Sequence, residues 1–195
     1  MNRLYVVRHG ESKWNLSNKL QGQKNISLTL KGISQAMKLA HNLREEQIDY
    51  IYSSDLKRAY ATAKIIGNVL NKKVYPDKGL RERSFGKWEG LTNIQIKKLY
   101  RHKYELWSKH PQNVKIPKGE TFQEVKNRSI KTLNSIINKH RNKNILIVSH
   151  SVVVKILIME TLKLDNQLYK KIQLKNCDLN IIDLKNREII SNKFK

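Results

Sequence analysis

The chain has 195 residues, enough for one domain with one substantial core, although the hydrophobic fraction of 39% is on the low side. Thirty-nine Lys and Arg against sixteen Asp and Glu give a formal charge of +23, which favours anionic partners, but much of the excess is Lys spread along the whole chain with abundant Asn, as on a biased, solvated surface. The lone Cys177 cannot close an internal disulfide, no Cys/His run has zinc spacing, and the longest apolar stretch, Val152 to Met159, is interrupted by Lys155 and too short for a bilayer, so the expectation is a cytoplasmic chain with no metal and no membrane span.

In chain order, Arg3 to Val7 is a short β-rich run without polar alternation, as in a buried parallel strand, and it stops at Arg8-His9-Gly10. From Leu30 to Glu46, Ile33, Ala36, Met37, Ala40 and Leu43 recur at helical spacing, and Asp49 to Ser53 reads as a second strand. Ser54 or Asp55 can cap the next helix, with Ala59, Ala63, Ile66 and Leu70 inward, before a short strand from Lys73 to Tyr75. Thr92 to Lys109 reads as helical, basic and aromatic, and as part of a lid insertion over about residues 86–118. Thr121 or Glu120 opens a helix with Phe122, Val125, Ser129, Ile130, Leu133, Ile136 and Ile137 on one stripe. Asn144 to Ser149 is the clearest strand and ends at His150; a helix from about Val152 to Leu162 and strands at Asp178 to Leu184 and Glu188 to Ser191 follow. This alternation predicts an α/β fold of three α/β/α layers around a mostly parallel sheet, with residues 1–195 as a single domain.

Two buried-type strands each end in a histidine, and open α/β sheets place ligands beyond the carboxyl ends of their strands, so His9 and His150 can meet there. A histidine at a strand end is by itself more often structural, which gives the neighbours their weight. Arg8 and Arg58 offer planar forks of donors suited to phosphate oxygens. Gly10 leaves the backbone open to a ligand, and Asn15 supplies a neutral amide. Glu82, between Arg81 and Arg83, is a candidate proton donor, although such a Glu is usually a surface ion pair.

Arg8-His9-Gly10-Glu11 followed by Trp14-Asn15 resembles the signature of the histidine phosphatase superfamily, which includes cofactor-dependent phosphoglycerate mutases. The resemblance continues through Leu28-Thr29 with Gly32, Ser53 to Ala59 with Thr62-Ala63, Leu80 to Arg83 with Gly86 and Trp88-Glu89-Gly90, Gly119-Glu120-Thr121, and Val148-Ser149-His150, covering residue 3 to about 160. It implies His9 as nucleophile, Glu82 as acid then base, and Arg8, Arg58, His150 and Asn15 around the phosphate, with Gln21, Gly22 and Ser151 as secondary positions. It also implies a small phosphorylated metabolite as partner and no cofactor. The chain departs from the pattern at Ser151 and Val152, where Gly is common, at Asn25, where Asp is common, and at Phe85, where the mutase branch has Tyr.

The expected function is hydrolysis of small phosphomonoesters through a phosphohistidine on His9. The alternatives are a phosphoglycerate mutase and, in another class, a catalytically idle module that binds anions or nucleic acid. Against the mutase stand Leu91-Thr92-Asn93, where that branch has Leu-Asn-Lys, and the lack of any Arg-Arg pair, although Lys97, Lys98 and Arg101 could supply cations from the lid. Against the binding module stands the complete catalytic set; basic charge without a reading element predicts only weak, non-specific nucleic-acid binding. The physiological ester and the oligomeric state are not legible.

Overall fold

Strands β1 (Arg3–Arg8), β2 (Tyr50–Ser53), β3 (Val74–Pro76), β4 (Ile145–Ser149), β5 (Leu179–Asp183) and β6 (Glu188–Ser191) join one sheet in the order β3-β2-β4-β1-β5-β6, in a computed structural model that describes residues 2–191. The pairs among β3, β2, β4 and β1 are parallel, while β5 runs antiparallel to β1 and β6 antiparallel to β5. The helices are α1 (Lys13–Leu16), α2 (Leu30–Asn42), α3 (Lys57–Leu70), α4 (Asn93–Leu99), α5 (Arg101–Lys109), α6 (Phe122–Lys139) and α7 (Ser151–Leu162).

The uninterrupted apolar runs of β1 and β4 require cover on both sides of the sheet, because successive side chains point to opposite faces. Leu4, Val6, Ile145 and Ile147 pack in one core with Val125, Leu133 and Ile136 of α6 and Val153 and Leu157 of α7. Tyr5, Val7, Leu146 and Val148 pack in the other with Leu39 and Ala40 of α2 and Ala59, Ala63 and Ile66 of α3. The result is the three-layer α/β/α arrangement. Among the described residues no helix is long and apolar enough to cross a membrane.

Several boundaries differ from the periodicity reading. Helix α2 ends at Asn42 and tightens into a 3-10 turn, and its buried stripe is Gly32, Ala36, Leu39 and Ala40, so Ile33 and Met37 lie on the exposed flank. Helix α3 is preceded by Leu56 in extended conformation, with no side-chain cap from Ser54 or Asp55; the Ser54 hydroxyl instead accepts from Leu56 N–H. Thr121 does cap α6, accepting from Glu124 N–H. The segment expected to form a lid is two helices, broken at Tyr100, whose φ of −138° and ψ of 43° leave the helical region. The short helix α1, directly after the first histidine, has too few apolar residues to show a period.

The segment of α4 and α5 is anchored by Trp88, which is 0% exposed among Phe85, Ile96 and Ile116. Its ring lies 6.0 Å from Tyr100 and 5.8 Å from Trp107. These aromatics are thus committed to the core or packed on it. Trp88→Ala is expected to lower the stability of the chain by about 3–5 kcal/mol through cavity formation, read as a lower urea midpoint.

Candidate active site

The parallel register of β1 and β4 pairs Arg8 with Ser149, so the two chains leave the sheet side by side and His9 N–H donates to Ser149 O at 2.9 Å. The His9 and His150 rings consequently meet edge to face, 5.2 Å apart. After His9 the backbone turns through Gly10, where a Cβ would fall 2.5 Å from the Gly32 carbonyl oxygen of α2. Only glycine fits that approach. Gly10 N–H is held by Thr62 Oγ1 at 3.1 Å, and the Thr62 hydroxyl donates to Arg58 O at 2.8 Å, tying the loop to α3.

His9 is 3% exposed, and its Nδ1 lies 2.7 Å from Gly10 O. A carbonyl can only accept, so Nδ1 carries the proton. Arg58 Nε–H donates to His9 Nε2 at 3.2 Å, which requires a lone pair there. Both contacts assign a neutral imidazole with Nε2 as its basic nitrogen. Burial first, then Arg58 and Arg8, hold its pKa well below the ordinary value of 6.5.

Arg58, 1% exposed, also donates to Lys24 O and Gly22 O, each at 2.8 Å. Burial pulls its pKa down to about 10, so it remains a cation. Arg8 donates through Nη1 to Leu174 O at 2.7 Å, while its buried Nε has no partner among the described residues. His150 is fully buried beside His9 and is not on the cavity wall; its Nε2 lies 2.8 Å from Ser54 Oγ and its Nδ1 is likewise without a partner. Because Ser54 Oγ already accepts from Leu56 N–H, its own proton can go to His150 Nε2, leaving Nδ1 as the protonated donor. Two orphan buried donors next to His9 suit an acceptor-rich group such as a phosphoryl oxyanion.

Glu82 is 7% exposed on the same cavity wall. Its flanking arginines turn elsewhere: Arg81 pairs with Asp55 through two contacts of 2.6 Å, and Arg83 donates to the carbonyls of Pro111, Val114 and Glu120. Burial therefore dominates and raises the Glu82 pKa above its ordinary 4.5, opposed by Arg83 N–H, Arg58, Val152 N–H and Arg8. The main chain around it is held from outside, because Arg128 of α6 donates to the carbonyls of Gly79, Arg81 and Glu82 and pairs with Glu120 at 2.8 Å.

Asn15, Gln21, Gly22 and Ser151 all border the cavity. Asn15 Oδ1 accepts from Ser12, leaving its Nδ2 without a hydrogen bond among the described residues, and Gln21 Oε1 accepts from Ser12 Oγ at 2.8 Å. Asn25, at the position that departs from the family pattern, accepts from Lys57 N–H at 3.1 Å.

Sequence reasoning missed several residues here. Lys19, Lys155 and Lys170 line the cavity with Trp107 and Tyr169, whereas Lys97, Lys98 and Arg101 of the lid do not, so the cations expected from the lid come from other elements. Arg101 is engaged with Glu105 on the exposed side of α5. The one visible signal was Lys155, a single charge inside the apolar run of α7. Asn176 was also missed; its Nδ2 donates to His9 O at 2.9 Å and closes the far side of the nucleophile loop.

Known proteins carry the same pattern. The histidine phosphatase superfamily (branch 1) matches residues 4–194. Phosphoserine phosphatase 1 of Hydrogenobacter thermophilus is 31% identical over 96% of this chain and 89% of its own. Phosphoglycerate mutase-like protein 4 of Arabidopsis thaliana is 38% identical over 78% of this chain and 67% of its own. Among solved structures, a mycobacterial glucosyl-3-phosphoglycerate phosphatase superposes with a TM-score of 0.87 at 28% identity, covering 94% of this chain and 93% of that one. Phosphatase activity is supported by these relatives, and by its sequence and its fold the chain belongs to the histidine phosphatase superfamily.

Proposed function

We propose that the chain is a one-domain phosphatase that hydrolyses small phosphomonoesters through a phosphohistidine on Nε2 of His9. The observation that carries this reading is the pairing, in one cavity, of a neutral His9 whose Nε2 lone pair faces the Arg58 guanidinium with a buried Glu82 biased toward its protonated form. In the first step the Nε2 lone pair attacks phosphorus, the ester P–O bond breaks, and the Glu82 proton passes to the departing alkoxide. Arg8, Arg58 and Asn15 Nδ2 donate to the phosphoryl oxygens from the cavity wall as charge builds on them, with His150 packed behind His9. Water then attacks phosphorus, gives its proton to the Glu82 carboxylate, and the P–N bond breaks to return neutral His9. The direct test is a quench during turnover: a phosphoryl adduct on His9 that survives alkali and is lost in acid is expected, and its absence with a slow-leaving product overturns the covalent route.

The same groups set a pH dependence. The route needs His9 neutral, which holds above a pKa displaced below 6.5, and Glu82 protonated, which holds below a pKa displaced above 4.5. For alkyl phosphates kcat/KM is expected to fall on the alkaline side as Glu82 ionises, with the acid limb set by His9. A profile that instead keeps rising with pH would remove Glu82 from the first step.

A second reading, phosphoglycerate mutase activity, is favoured by one observation, the three lysines on the cavity wall that could hold a second phosphate. Supplying 3-phosphoglycerate with catalytic 2,3-bisphosphoglycerate separates the two. Free phosphate is expected; efficient formation of 2-phosphoglycerate with little phosphate would replace the phosphatase reading.

A further inference from the structure

The cavity of about 420 Å³ is larger than a phosphoryl group needs, and the charge on its wall is one-sided. Five cations line it, namely Arg8, Arg58, Lys19, Lys155 and Lys170, against a single acid, Glu82. None of the five takes part in an ion pair among the described residues. Arg8 and Arg58 flank His9 and match the two charges of a phosphoryl dianion, which leaves three lysines over. We infer that this cavity contains a subsite for a second anion, built by Lys155 with Lys170 and Lys19, and that the preferred substrates are phosphomonoesters carrying a carboxylate or second phosphate and no ammonium group.

Lys155 is the centre of the subsite. It projects from α7 one turn beyond Ser151, is partly buried, and its Nζ has only a 3.3 Å contact with Tyr169 O and the face of the Tyr169 ring, 4.8 Å from its centroid. A carbonyl and a ring face hold an ammonium in place without neutralising it. Lys170, at the end of the 3-10 turn Asn166–Lys170, reaches the carbonyls of Ser108 and Lys109 at the end of α5 and so brings its charge to the lid side of the cavity. Lys19 lies in the loop that follows α1, its Nζ 5.9 Å from the Trp14 centroid. Leu20, Phe85, Trp107, Pro111 and Val152 make the intervening wall apolar, which reduces screening of these charges. An ammonium group entering here would meet the like charge of Lys155, Lys170 and Lys19. Phosphate esters of amino alcohols are therefore disfavoured, and in phosphoserine the amine offsets what its carboxylate gains.

This inference rests on the phosphatase reading, and the test keeps the two apart. Three esters share one two-carbon skeleton and differ in the terminal group: phosphoglycolate, 2-hydroxyethyl phosphate and phosphoethanolamine. None can be isomerised as phosphoglycerate can. The expected order of kcat/KM is carboxylate, then hydroxyl, then ammonium, with about tenfold per step if one charge-assisted contact is gained or one repulsion added. Propane-1,3-diol bisphosphate, run against its monophosphate, tells whether a second phosphate serves as well as a carboxylate. Lys155→Met keeps the stem packed on Tyr169 and is expected to shrink the carboxylate-to-hydroxyl ratio about tenfold, while Lys155→Arg restores it; Lys170→Gln repeats the measurement from a second element. A flat order in the wild type, or a ratio that survives both substitutions in folded protein, overturns the subsite. An aryl phosphate run alongside reads the underlying activity: turnover of it with a flat order defeats the subsite alone, and no turnover of any ester defeats the phosphatase reading and the subsite with it.

Discussion

His9→Ala is expected to abolish turnover, by ~10³-fold or more, while the chain stays folded. The size of the loss follows from the proposed role: among the described residues that line the cavity, no other imidazole faces the ligand. His150 cannot stand in, because it is fully buried, lies off the cavity wall, and has Ser54 against its Nε2. Folding survives because the loop is held by its main chain, through His9 N–H to Ser149 O, Gly10 N–H to Thr62 and Asn176 to His9 O. None of these needs the imidazole. Steady-state hydrolysis of an aryl phosphate, with a thermal melt of the same sample, checks both halves; a folded variant that retains a tenth of the rate disproves the covalent mechanism.

Glu82→Gln is expected to slow alkyl phosphates by ~10²–10⁴-fold and aryl phosphates far less, because an aryl oxide leaves without needing a proton. The amide is nearly isosteric, and its oxygen can still accept from Arg83 N–H, which Glu82 Oε1 now does at 2.9 Å. What disappears is the transferable proton and the acceptor that Val152 N–H meets at 3.4 Å. The comparison therefore reads acid catalysis with little disturbance of the loop that Arg128 and Glu120 hold. Equal losses on both classes of ester would assign Glu82 a structural role instead.

The parts legible in the sequence are those where one local pattern implies one outcome. Strands β1 and β4 announce themselves because burial on both faces removes polar residues, and their ends therefore located His9 and His150. Helix α6 was readable through its capping Thr121 and its stripe from Val125 to Ile136. The break at Tyr100 was not, because helical spacing continues on both sides of it. The rim of the cavity was also opaque: Lys19 follows α1, Lys155 sits on α7 and Lys170 ends a 3-10 turn, so only tertiary packing brings their charges together. Ile33 and Met37 misled for a simpler reason, since apolar residues at helical spacing can lie at the edge of a buried stripe as well as within it.

Burial of His9, His150 and Glu82 has a further consequence, for the proton balance of folding. Below the ordinary His value of 6.5 the unfolded chain takes protons onto both histidines, whereas burial holds their pKa values well below 6.5 in the folded chain. Glu82 acts in the opposite sense, holding a proton in the folded chain that the unfolded chain has released. The two histidines therefore cost stability as pH falls below 6.5 toward their lowered values, and Glu82 costs stability as pH rises above 4.5 toward its raised one. The histidine contribution is thus fullest above pH 6.5 and drains away below it, on the side where a protonated Glu82 would favour the proposed first step. Acidity therefore draws the reaction and the fold in opposite directions, and the lower end of the working pH range is set by whichever gives way first.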